Sequence, residues 1–339
     1  MSEQCRRVGV TLPLAGLELA EHRGAVDQLV AAGIGEVSTA EVNGVDGLTP
    51  LVLCAAWQAD LQLTCAVVSV FTRGPATLAM TAAGLAETAP GRARFGIGAG
   101  SDRIVHGWNG IPFTRPHQRV ADTVRFLRAV LTRGRVDPGT PAAEAAERLG
   151  SHRFRLDRAP TTPPKLLIAA LGPRMQQLAA AEADGVVLNF LSPTDVAHIR
   201  AATADVPRAV DTPFEVTARV FVIPGDGDAA ELAARRQIAA YLTVPVYTSF
   251  HRWLGRGDQL TALLAAWASG DRARAVEAIP DQLVRDLIIL GSPADCAAGI
   301  RRYLDAGIDL VTIALIPPHG TPMPAGEQIE FLCDLARRL

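Results

Sequence analysis

The residues of this chain that could do chemistry are few and lie mostly where an apolar run gives way to a turn. Gly98-Ala99-Gly100-Ser101 closes the run Phe95-Gly96-Ile97. Such a turn lets a ligand approach the main chain and leaves N–H groups for an anion, with the Ser101 hydroxyl as a further donor. A tight turn without a ligand reads the same way. Gly172 before Pro173 offers a second helix start for the same phosphate, or a plain turn. Glu41 follows Val37-Ser38-Thr39-Ala40 and is either an acid–base or substrate-binding group or a structural partner for an arginine such as Arg73. His106 lies on the loop after the glycine turn. It has the pKa to donate a proton or to hydrogen-bond a carbonyl, or it packs the loop. Trp57 and Trp108 read as packing residues and Asp184 as a structural turn acid.

Other chemistries lack their residues. Lys165 is the only lysine and opens its apolar run, so a Schiff-base lysine at the catalytic end of a strand is missing. No metal site is expected. The first strand ends Thr11-Leu12-Pro13 rather than in a His-x-His pair, and the seven histidines show no ligand spacing. No G-x-S-x-G nucleophile elbow occurs. A net charge of -2 gives no footprint for nucleic acid or an anionic membrane. No apolar run is long enough to span a bilayer. Cys5, Cys54, Cys65, Cys296 and Cys333 are odd in number and scattered, which suits reduced thiols. The polar start MSEQCRR shows no signal peptide, so a cytoplasmic protein acting on a small molecule is expected.

These groups need a frame. Strands are predicted near Val8–Thr11, Glu36–Ala40, Leu63–Ser69, Arg94–Gly98, Lys165–Ala170, Gly185–Asn189, Glu215–Ile223 and Leu310–Leu315, alternating with helices. That is the pattern of a parallel sheet covered by helices. Val120, Val124, Leu127 and Leu131 line one helix face, with Asp122, Arg125 and Arg128 opposite. Ser292-Pro293-Ala294-Asp295 starts another helix, which Gly307 ends. Hydrophobic content of 49% supplies one large core. The expectation is α/β, a single (β/α)8 TIM barrel over residues 1–339. Residues 134–164 and 241–290 break the alternation and form insertions placed as substrate lids. In such a barrel the site lies at the carboxyl ends of the strands, which selects Glu41, Ser69, Gly98–Ser101, Leu171-Gly172, Asn189 and the loop Pro317–Gly320.

Ordered motifs carry a resemblance over nearly the whole chain. Thr72-Arg73-Gly74-Pro75-Ala76 matches a T-R-x-P-A signature, and Pro90–Phe95 keeps part of G-G-R-F. Val105-His106-Gly107-Trp108-Asn109-Gly110-Ile111-Pro112-Phe113 with Arg115-Pro116 is similar to V-E-G-W-x-G-V-P-F-x-R-P, with histidine replacing the acid. Ala169–Met175 is similar to A-A-L-G-P-K-M, and Ala183–Val186 to A-D-G-V. On these the chain resembles the luciferase-like monooxygenase superfamily, in the branch that uses the deazaflavin coenzyme F420. The resemblance implies hydride transfer between F420 and a small organic substrate. The alternatives are an FMN-dependent monooxygenase with a separate reductase, or a cofactor-binding barrel without catalysis. It implies a bulge in the third strand with a cis Ala66–Val67 peptide against one face of the ring, and Ser69 at the ring's polar edge. Gly98, Ala99, Gly100 and Ser101, then Ala170, Leu171 and Gly172, and Asn189 complete the cofactor site, with Glu41 and His106 as candidate catalytic residues. It also implies a homodimer. The helices at Leu51–Trp57 and Ala76–Ala86 have few charges and suit an interface.

Overall fold

The computed structural model describes residues 7–320 and 323–339; Cys5 and the polar start lie outside them. Nine strands form one sheet: β1 (Val8–Leu12), β2 (Glu36–Thr39), β3 (Gln62–Ser69), β4 (Ala93–Gly98), β5 (Lys165–Ala169), β6 (Gly185–Asn189), β7 (Glu215–Pro224), β8 (Ile288–Gly291) and β9 (Leu310–Leu315). All pairings are parallel, and the β6–β7 ladder closes the ring β1-β2-β3-β4-β5-β6-β7-β9. The eight expected strands are those of the barrel, each within a residue of its expected ends. Parallel strands buried on both faces need apolar runs, and Val8, Val10, Val37, Leu63, Phe95, Ile97, Leu166 and Ile168 are almost wholly buried.

β8 was not expected. Residues 241–290 were read as helical lid, yet Ile288–Gly291 pairs with the far half of β7, from Phe221 to Pro224, outside the closed ring. The helix Asp228–Leu242 overlaps the start of this region and buries Ala230, Ala234 and Ile238 against it. The helices after it bury Leu260, Leu263, Leu283 and Leu287 in one cluster with Phe190, Phe221 and Ile223. Residues 134–164 carry the short helix Pro141–Arg148 within loop.

A second difference concerns the helix Pro116–Arg133. Its Val120, Val124, Leu127 and Leu131 are buried, but so is Asp122 on the expected polar side. Arg148 of the insertion donates to both Asp122 oxygens, while Arg125 and Arg128 pair with Glu182 and Asp184. That face is a docking surface held by ion pairs, because the next helix and the insertion cover it.

The floor of the barrel is charged. Glu36 is fully buried and accepts from Thr64 and from Arg94 at 3.1 Å; Arg94 also donates to Glu215, which Lys165 bonds from the other side. Burial pushes the Glu36 carboxyl above the usual range despite Arg94. Burial also acts on Glu215, but Arg94 and Lys165 outweigh it and hold that carboxyl low. The single lysine is thus spent at the amino-terminal end, far from the strand exits. No described helix is long and apolar enough to cross a membrane.

Candidate active site at the barrel mouth

Exposure along the strands locates the site. The outer wall is covered by helices, so a strand residue that stays accessible must face an open end. At the carboxyl ends each of the eight barrel strands or its exit supplies at least one half-buried residue: Thr11, Ala40, Ala66 with Val67, Ala99, Ala169, Asn189, Arg219 and Leu315. Together they line a bowl.

The side of the bowl at β3 is built by an irregularity. The β3–β4 register shifts between Cys65 and Val68, and the Ala66–Val67 peptide is cis. The Val67 carbonyl accepts from the Glu41 amide at 3.4 Å. The bulge turns Cys65 O and the Val67 side chain toward β4, and glycine is what permits this. A Cβ at Gly96 would lie 2.4 Å from Cys65 O and 2.7 Å from Val67 Cγ1; one at Gly98 would lie 3.0 Å from Val67 Cγ2 and 3.1 Å from Ala169 Cβ. The two glycines therefore hold the bulge in place. The backbone at Ala66–Val67 forms a shallow apolar shelf that a flat ring could rest on. Beneath it Cys65 is fully buried, and burial, aided by the Glu41 charge, pushes its thiol up to about 12, so it is inert.

The Gly98–Ser101 turn leaves the barrel beside this shelf. Gly100 adopts φ 74°, with a virtual Cβ 3.2 Å from Ser69 Oγ. Ser69 is nearly buried; its hydroxyl donates to Ala99 O and accepts from the Phe71 amide, so its proton is committed to the turn rather than free for a ring edge. Ser101 Oγ accepts from Ile104 N and starts a π-helical turn, Arg103–Trp108. Such turns are frequent at functional sites. His106 on it is exposed and makes no side-chain hydrogen bond among the described residues. Trp108, expected to pack, is 47% exposed and lies under the Arg103 guanidinium.

On the next strand Ala169, rather than the buried Ala170, faces the bowl. Leu171 is half-buried, its carbonyl fixed by Gln176 Nε2 at 2.7 Å. Gly172 caps the helix Pro173–Glu182 with no side-chain bond, leaving the start of its dipole open to an anion.

Glu41 is engaged. Arg73 donates Nε and Nη2 to its two oxygens at 3.2 and 2.6 Å, and the Gly47 amide donates at 3.1 Å. This bidentate pair braces the loops after β2 and β3. Asp184 likewise serves structure, accepting from the Leu166 amide, Thr212 and Arg128. Asn189 is at the mouth; its Nδ2 donates to Tyr247 Oη at 2.9 Å, and its Oδ1 is buried with no partner among the described residues. The residue after it, Phe190, holds a left-handed conformation at φ 54° and packs on Phe221 and Tyr241.

The sequence reading missed Arg219, which projects from β7 beside Asn189, and it did not place Tyr241 and Tyr247 against them. The available signal was a charged residue inside the apolar run Val216–Ile223. A cleft of about 500 Å³ lies elsewhere, lined by helix residues including Arg236, Trp267 and Arg272; none of its lining residues belongs to a barrel strand. No group of three or more His, Cys, Asp or Glu among the described residues could hold a metal ion.

Comparison with known proteins agrees with this architecture. The chain is 27% identical over 281 residues to the 5,10-methylenetetrahydromethanopterin reductase of Archaeoglobus fulgidus, covering 80% of this chain and 82% of that one. In structure it is similar to the coenzyme F420-dependent tetrahydromethanopterin reductase of Methanopyrus kandleri, with a TM-score of 0.71, 20% identity and 97% of both chains covered. An F420-dependent secondary alcohol dehydrogenase in complex with an F420–acetone adduct also superposes with a TM-score of 0.71, at 13% identity over 98% of this chain and 99% of that one. Residues 6–310 match the luciferase-like monooxygenase family, and the chain belongs to it.

Proposed function

We propose that this protein is an oxidoreductase that binds coenzyme F420 and transfers a hydride between it and a small organic substrate. A relative named as a putative coenzyme F420-dependent oxidoreductase and two structural neighbours named for F420 support the cofactor. The observation that carries the reading is the half-buried shelf at Ala66–Val67, shaped by the β3 bulge and kept clear by Gly96 and Gly98. When bound, the deazaflavin supplies or accepts a hydride, because a carbon stands where a flavin has its N5 nitrogen.

The chain's residues supply the rest. Ala66 and Val67 support the ring from one side, and small side chains at both positions let backbone meet ring. The Gly98–Ser101 turn and the open helix start at Gly172 hold the cofactor phosphate with main-chain N–H groups. Asn189 Oδ1, buried and unpartnered, accepts from a donor on the ring edge. His106, exposed on the π-helical turn and without a side-chain hydrogen bond among the described residues, moves the proton that accompanies substrate reduction or oxidation. Glu41 acts through Arg73, keeping the loops after β2 and β3 in register.

The test is equilibrium binding of F420 and FMN to purified protein, followed by fluorescence quenching. F420 is expected to bind at least about tenfold tighter, roughly 1.4 kcal/mol. Equal or reversed affinities would move the assignment to an FMN-dependent monooxygenase. Tight F420 binding without turnover on any alcohol or carbonyl substrate would leave a non-catalytic binding barrel.

A further inference from the structure

The geometry points to Arg219 as an oxyanion-binding residue for the substrate: the molecule that meets the cofactor carries a carboxylate or phosphate, and Arg219 holds it. The other arginines of the mouth, floor and flanks are met by acids or by main-chain carbonyls, Arg119 by Val70 O at 2.9 Å and Arg92 by Leu61 O at 2.7 Å. Arg73 pairs with Glu41, Arg94 with Glu36, Arg125 with Glu182 and Arg256 with Asp195. Arg219 has no carboxylate within salt-bridge distance among the described residues. Its polar contact is a long one, 3.5 Å from Nη1 to Tyr241 Oη, and its Nε is buried with no partner. Its guanidinium lies 5.0 Å from the Phe221 ring centre. An ionised group with an unsatisfied buried donor is costly, and native proteins match such groups with a partner. Here the partner the site lacks is an anion. A guanidinium is also a planar fork shaped for the two oxygens of a carboxylate or phosphate.

Topology says which molecule brings that anion. In the closed ring β7 stands four strands from β3 in either direction, so Arg219 faces the β3 bulge across the bowl. The inference rests on the cofactor reading at this point. If the ring lies against Ala66–Val67, its free face looks toward β7, and what occupies that side is the substrate. The Gly98–Ser101 turn and Gly172 belong to the exits of β4 and β5, so the cofactor's own phosphate is provided for on other strands. Tyr241 and Tyr247, half-buried edge to face near Arg219 and backed by the buried Phe221, give an aromatic wall for the substrate's body.

The test separates the two readings. F420 affinity is measured first in wild type and in Arg219→Met; it is expected to agree within about threefold. Benzoate, inorganic phosphate and the uncharged match benzamide are then titrated by calorimetry into protein with and without F420. Wild type is expected to prefer benzoate over benzamide by at least about tenfold, and Arg219→Met to lose that preference. Arg219→Lys keeps the charge without the fork, so its benzoate affinity is expected to fall at least about threefold while phosphate is better retained. Should Arg219→Met fail to fold by circular dichroism, the lysine variant decides. The inference is overturned if wild type shows no preference for the anions, or if the variants keep it. It is equally overturned if Arg219→Met loses tenfold or more in F420 affinity, which would assign the arginine to the cofactor's own oxyanions. An FMN-preferring protein that still binds benzoate through Arg219 would sink the cofactor reading and leave this one standing.

Discussion

Replacing Gly96 with alanine tests whether the β3 bulge is a functional surface. The new methyl would lie 2.4 Å from Cys65 O, where an unstrained carbon–oxygen contact needs about 3.3 Å, so the bulge or β4 must move by roughly 0.9 Å. Overpacking of this kind destabilises by about 1–3 kcal/mol. Stability loss alone would say nothing about function, and Gly185 provides the control. A Cβ there would lie 2.4 Å from Glu215 O, the same encroachment on a neighbouring strand's carbonyl, but at the start of β6, on the barrel floor. Gly96→Ala and Gly185→Ala are therefore expected to lose similar stability in urea denaturation. F420 affinity should fall at least about tenfold in Gly96→Ala alone, near 1.4 kcal/mol. Fluorescence quenching on protein verified as folded reads it. The argument is refuted if folded Gly96→Ala binds F420 like wild type, or if Gly185→Ala loses as much.

Gly172 has an ordinary φ of −82° and nothing within 4 Å of a virtual Cβ, so Gly172→Val should leave the melting temperature unchanged yet weaken F420 binding several-fold, by crowding the helix start; unchanged affinity would remove this helix from the site. Glu41→Gln should lower stability by about 1–2 kcal/mol through the weakened Arg73 bond while leaving the pH profile of turnover in place; loss of a limb of that profile would make Glu41 an acid–base catalyst. Burial, together with the nearby Arg256 charge and against that of Asp195, depresses the His251 pKa to about 4. The unfolded chain then binds more protons between about pH 6.5 and pH 4, so stability falls as pH drops through that window, by at most roughly 3 kcal/mol. His251→Phe should lose this part of the acid sensitivity, and denaturation at pH 7.5 and 4.5 in both proteins would detect it, a parallel fall in the variant counting against the burial argument. Val52 and Met80 are 42% and 53% exposed on the helices Thr49–Trp57 and Pro75–Thr88, which suits a self-complementary interface. Light scattering should give a dimer that Met80→Arg dissociates; a wild-type monomer at micromolar concentration would exclude it.

How much of this could be read in the sequence depended on how local each cause was. Most barrel strands are apolar runs closed by glycine, proline or a small polar residue, and their regular alternation with amphipathic helices leaves little choice. β8 is different. Ile288-Ile289-Leu290 continues directly from the helix Asp281–Leu287 with no turn residue between them, and a short apolar run of that kind fits either period. Asp122 looked like a solvent-facing helix residue because the acid gives no sign of Arg148, 26 positions on, which covers it. The Glu41–Arg73 pair was a stated alternative, since both residues follow adjacent strands. Arg219 was visible as a charge in an apolar strand. Its meaning depended on what did not pair with it, and that becomes known only when the barrel closes.

The ninth strand changes how entry to the bowl works. β7 is bonded to β6 and β9 along its first part and to β8 at its end, so the segment between Asp228 and Gly291 returns into the wall it left. Its helices share a core with Phe221 and Ile223 of that wall, and the buried Arg256–Asp195 pair ties it to the turn after β6. A hinged flap needs a flank that can let go at little expense. This segment is sewn down at both ends and in the middle, so its amides should exchange with solvent at close to the rate of the barrel strands. It is expected to behave as a fixed parapet, which hydrogen exchange slower than that of the loops would show. Substrate and product are then expected to pass over the opposite side, past the π-helical turn and the exposed His106 and Trp108.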